Sequence, residues 1–169
     1  MHKQVASMLA AGGSPGQLAK YARMLAERGL NIRSVGGAEW NHHGAVGTLI
    51  DNDLADDELD ALVKELDAEG FPSIVIHAAE AVLPDTPGAL ADACERIGDL
   101  NIATILVVDT HGGNGLVTFG FATADEAAAA LDRLGDFAVA PHTLTASWAA
   151  HEQWDRENPN QPPPDPRNP

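Results

Sequence analysis

Asp85-Thr86-Pro87-Gly88-Ala89-Leu90 decides how the chain is read, because Gly13-Ser14-Pro15-Gly16-Gln17-Leu18 states the same pattern 72 residues earlier. Each copy puts Pro-Gly at the head of an amphipathic helix. Ser14 and Thr86 are expected N-caps, with Pro15 and Pro87 just inside, where a missing N–H costs nothing. Gln17 would complete a capping box. Leu18, Tyr21, Ala22 and Leu25 follow at helical spacing, as do Leu90, Ala93, Cys94 and Ile97. Gly29 and Gly98 stop the two helices, and Leu30-Asn31-Ile32 then repeats as Leu100-Asn101-Ile102.

Outward from these helices the repeat continues. Extended stretches are expected at 3–11, 30–40, 44–51 and 71–77, then at 78–84, 100–109, 115–122 and 137–147. Asn41-His42-His43-Gly44 and Thr110-His111-Gly112-Gly113-Asn114 read as hairpin turns. A second helix follows each hairpin. Leu59, Leu62, Val63 and Leu66 line one, behind Asp56, Asp57 and Glu58 at its positive end. Ala127, Ala130, Leu131 and Leu134 line the other, which opens on the capping box Thr123-Ala124-Asp125-Glu126. No linker separates 71–77 from 78–84, so tight coupling of the two copies is expected. The expected division is 1–77, 78–150 and a tail at 151–169, whose last eleven residues hold six prolines. Such a tail suits disorder or polyproline II.

The charge excludes some partners. Twenty-five acidic residues against ten Lys and Arg give a net −15. Such a surface repels phosphate backbones and anionic membranes. One cysteine, Cys94, allows neither an intrachain disulfide nor a Cys-x-x-Cys site, and reads as a small buried hydrophobe. No apolar run is long enough to span a bilayer, and a cytoplasmic location is the default expectation.

The Pro-Gly turns are the candidate binding elements, since helix N-termini offer free N–H groups and partial positive charge to a carboxylate. The plain alternative is that Pro-Gly only shapes a tight strand-to-helix turn. Asn31 and Asn101 carry amides that could hold an amino acid's ammonium and carboxylate together, or could simply stop a helix. His42, His43 and His111 fall in corresponding hairpins. Adjacent His42 and His43 would point to opposite faces, so exposed turn histidines are expected instead of a metal site. His77 and His142 read as strand residues. Trp40 and Trp148 read as caps on a core. No nucleophile elbow, phosphate loop, zincin or dinucleotide fingerprint occurs, so no catalytic residue, metal or cofactor is expected.

The second copy, Asp85 to Leu90 followed by Leu100-Asn101-Ile102, resembles the signature of the ACT-domain family, and the resemblance covers most of residues 3–147 as two copies. It implies an α+β chain of two ferredoxin-like βαββαβ modules, whose antiparallel sheets could join into one eight-stranded sheet with the helices on one face. It also implies a regulatory protein, not an enzyme, that binds a small molecule, expected to be an amino acid. Carried over position by position, ligand contacts would come from Asp85, Thr86, Gly88, Ala89 and Asn101. The first copy would offer Gly13, Ser14, Gly16, Gln17 and Asn31. Gly13 stands where the second copy has Asp85, so the two sites are expected to be unequal. Output would pass to a homo-oligomer or a regulated partner protein. Two rivals share the element order: an enzyme of the dimeric α/β-barrel sort, and a metal-responsive regulator using the hairpin histidines.

Overall fold

The computed structural model describes residues 3–9, 15–40, 43–51, 54–111 and 113–139. Its elements run β1 (Lys3–Leu9), α1 (Gln17–Glu27), β2 (Asn31–Trp40), β3 (His43–Asp51), α2 (Asp56–Ala68) and β4 (Ser73–Pro84). They continue with α3 (Ala89–Ile97), β5 (Thr104–His111), β6 (Asn114–Phe121) and α4 (Ala124–Leu134). The chain is α+β, with every strand pair antiparallel.

Among the described residues there is one six-stranded sheet, in the order β2-β3-β1-β4-β6-β5. Read from β4, the first half runs fourth, first, third, second, the order of a ferredoxin-like unit. The second half repeats it with β4 as its first strand, then β6 and β5. The strands expected at 71–77 and 78–84 are therefore one continuous strand, so two of the eight expected strands are one. The correction has a physical cause. Ala78, Ala79, Glu80 and Ala81 are buried in succession, so β4 is covered on both faces at its middle, and Ser73–Pro84 holds no Gly, Asn or Asp to signal a turn there.

β4 serves both halves by splitting its edges. His77 pairs with Lys3 of β1 on one side and with Phe121 of β6 on the other. β1 covers the first edge from Ser73 to His77, and β6 covers the second edge from His77 to Pro84. The first edge is taken up again at Ala81, which bridges Ala138, while the Val139 N–H donates to the Glu80 carbonyl at 2.9 Å. This is the place of a fourth strand in the second half. The expected strand at 137–147 otherwise lies outside the described residues.

Two cores form. Val5, Tyr21, Leu25, Val46, Ile50, Leu59, Leu62, Leu66 and Phe71 make the first. Tyr21 and Phe71 meet edge to face there, with ring centres 5.7 Å apart, and the Tyr21 hydroxyl donates to Thr48 Oγ1 at 3.0 Å. The second gathers Ala79, Ala81 and Leu83 of β4 with Phe119, Phe121 and the small faces of α3 and α4. Alanines at 89, 93, 127 and 130 let these two helices lie close to the sheet.

The helix starts only partly match expectation. α4 has its capping box: Thr123 Oγ1 accepts from the Glu126 N–H, and Glu126 Oε2 accepts from the Thr123 N–H, each at 3.2 Å. In α2 the Glu58 carboxylate likewise reaches back to the Ala55 N–H at 2.8 Å. At α1 and α3, however, the N-cap is glycine, Gly16 and Gly88, with no side-chain cap. Thr86 is not the cap, and Gln17 closes no capping box. Leu18 and Leu90 leave the expected apolar stripes and are about half exposed, at 51% and 48%. Each helix begins two residues later than expected, so Leu18 and Leu90 fall in the first turns.

Candidate functional site

The two strand-to-helix turns converge on one backbone solution. Gly16 has φ 95° and ψ −7°, and Gly88 has φ 97° and ψ −22°. Both lie in the left-handed region, where an L side chain strains against its own carbonyl. A Cβ at either position would meet no atom within 4 Å. Glycine is needed there for its dihedral angles, not for a close approach of protein backbone, and the space beside it is open.

The second turn is held from both sides. The Asp85 N–H donates to the Gly113 carbonyl at 2.8 Å, tying the turn to the β5–β6 hairpin. Thr86 N–H donates to Pro84 O at 2.9 Å, and Thr86 O accepts from Ala89 N–H at 3.2 Å. The Asp85, Thr86 and Gly88 residues are exposed, and Ala89 is buried. No side chain caps α3, although the Ala89 N–H is already bonded to Thr86 O; an uncapped helix N-terminus is an arrangement that can receive an anion. In the first turn Gly16 is exposed and Gln17 half-buried. Gly13 and Ser14 lie outside the described residues.

Asn31 and Asn101 do not join these turns within their own halves. Both are exposed, and each follows its helix, whereas the Pro-Gly turn precedes it. At 1.5 Å per residue, α1 with 11 residues and α3 with 9 separate the two groups by roughly 16 and 14 Å. The spacing in sequence concealed this, because a helix places its two flanking loops at opposite ends of the layer.

A second concavity was not foreseen. β5 folds back over the β2–β3 hairpin, and the Ser34 hydroxyl donates to the Val107 carbonyl at 3.0 Å. Leu106 packs into a place where side chains are missing: a Cβ on Gly36 would stand 2.9 Å from Leu106 Cδ2, and one on Gly47 would stand 3.7 Å from it. Beside this contact runs a groove of about 570 Å³, walled by Gly36, Ala45, Gly47, Ser73, Ile74 and Thr104, among others. The sequence signal was the run of small residues, Gly36-Gly37-Ala38 opposite Ala45-Val46-Gly47, which pair across the hairpin.

Of the histidines, only the side chain of His77 can be placed against these two sites. His77 is half-buried in β4 and does not line the groove. His43 and His111 begin and end strands at their hairpins, while His42 and His142 lie outside the described residues. Among the described residues no three His, Cys, Asp or Glu side chains cluster to hold a metal ion. Cys94 is half-buried in α3.

No protein-family model and no curated protein matches the chain. Solved structures do. A protein from Bacteroides thetaiotaomicron superposes with a TM-score of 0.60 at 18% identity, over 82% of this chain and 91% of that one. The ligand-free regulatory subunit of aspartate kinase from Thermus thermophilus gives 0.55 at 22% identity, over 79% and 91%. The regulatory subunit of aspartate kinase from Thermus flavus gives 0.56 at 20%, over 79% and 91%. The likeness is one of fold, and the fold is ACT-like. Among the described residues no helix is long and apolar enough to cross a membrane.

Proposed function

We propose that this chain is a small-molecule-binding regulatory protein built from two ACT-like modules, 1–77 and 78–150, that share β4, followed by a tail at 151–169. The carrying observation is the pair of matched glycine N-caps, Gly16 and Gly88, each opening a helix with no side-chain cap onto free space. A carboxylate seated on the α3 N-terminus would meet N–H donors and partial positive charge. Asp85 and Thr86 beside it supply an acceptor for an ammonium group and a hydroxyl, so a free amino acid is the ligand of choice. Asn101 is too far along α3 to complete the same site. An amide partner would come from the other module or from a second copy of the chain. The first turn has Gly13 in place of Asp85, so the second is the stronger site.

The fold shared with two aspartate kinase regulatory subunits supports a regulatory over a catalytic role. The signal would pass to a homo-oligomeric partner or to a separate protein in the cytoplasm. Binding would act by preferring one module arrangement, an effect typically worth about 1–3 kcal/mol.

Calorimetric titration of the full chain with the common amino acids tests this. Heat of binding with one of them, weakened by Asp85→Ala, is the expected result. No heat and no thermal shift with any amino acid would remove the amino-acid reading. Affinity retained in both Asp85→Ala and Asn101→Ala would place the site elsewhere.

A further inference from the structure

We draw no further inference here: the strongest candidate, the apolar groove of about 570 Å³ between β5 and the β2–β3 hairpin with Ile74 and Ile105 exposed along it, carries nothing because nothing in the structure shows what covers it.

Discussion

Arg96 and Arg133 exchange helix caps. Arg96, in the last turn of α3, donates to the Leu134 carbonyl at the end of α4 at 3.0 Å. Arg133, in the last turn of α4, donates to the Ile97 carbonyl at the end of α3 at 2.5 Å. Each guanidinium satisfies a carbonyl that has no partner within its own helix and places positive charge at a negative dipole end. The Arg96 guanidinium also lies over the Phe137 ring, 4.0 Å from its centre. Arg96→Ala and Arg133→Ala should each cost about 1 kcal/mol, because each strips a charged donor from a partly buried carbonyl. Since the two bonds hold the same pair of helices, the double variant should depart from additivity. Chemical denaturation of the four proteins checks this; strict additivity would show that the caps act independently.

The same arginines predict how stability varies with pH. A hydrogen bond from Arg133 holds the Asp99 carboxyl below its usual range, and one from Arg96 does the same for Asp136. Lys20 lowers Glu69 in the first half. A carboxylate whose folded pKa is depressed contributes stability above the unfolded value and loses it as pH falls through the folded one. The advantage of the native chain over Asp99→Asn or Asp136→Asn should therefore be full at neutral pH. It should shrink only below the ordinary carboxylate range, and the change should be small because these groups face solvent. Melting curves from pH 7 down to 3 measure it. An advantage that grows on acidification would contradict the sign.

Tyr21 and Thr48 form a buried polar pair under the first core. Both are fully buried, and the phenol donates to the threonine hydroxyl at 3.0 Å. Thr48→Val leaves the Tyr21 hydroxyl without that acceptor and should cost about 1–3 kcal/mol. Tyr21→Phe should cost about 1 kcal/mol, and the double variant should recover part of the loss, because two apolar partners leave no orphan. Equilibrium unfolding reads all three. A double variant as weak as the sum of its singles would show that the hydrogen bond carries no coupling.

What could be read from the residues was what local pattern controls. The four helices, both hairpins and the Thr123 capping box follow from periodicity, glycine stops and cap chemistry. The Pro-Gly turns could be located but not resolved in detail. Ser14 and Thr86 satisfy the rule for an N-cap, yet a left-handed glycine starts each helix later, a choice between two adjacent local minima. β4 could not be recognised as one strand, because burial on both faces erases the alternation that marks a boundary. The separation of Asn101 from Gly88 needed the third dimension. The groove needed it more, since it arises where β5 crosses a hairpin some 70 residues away in sequence, and only the small side chains at 36–38 and 45–47 hinted at it.

Gly88 gives a direct test of the turn. At φ 97° an L side chain is strained, and nothing within 4 Å would clash with a Cβ. Gly88→Ala should therefore destabilise by about 1–2 kcal/mol through backbone strain alone, and Gly88→Asn by less, since asparagine tolerates the left-handed region better. Gly16→Ala should behave alike if the two turns are equivalent. Denaturation of the three variants settles the ranking, and an alanine variant as stable as the native chain would mean that the turn relaxes to another conformation.

Gly36 and Leu106 tie the two halves together across the groove. A methyl on Gly36 would stand 2.9 Å from Leu106 Cδ2, closer than carbon atoms pack, and Leu106 itself is 5% exposed. Gly36→Ala should thus cost about 1 kcal/mol, modest because the end of a leucine can swing aside. Leu106→Ala should cost more, about 2–5 kcal/mol, by emptying the contact. In the Leu106→Ala background, however, the added methyl has room, so Gly36→Ala should become neutral or slightly stabilising. That reversal separates a specific fit between strand and hairpin from a general aversion of the hairpin to larger residues. A Gly36→Ala penalty of the same size in both backgrounds would place its cause within the hairpin, and the crossing of β5 would then owe nothing to the missing side chain.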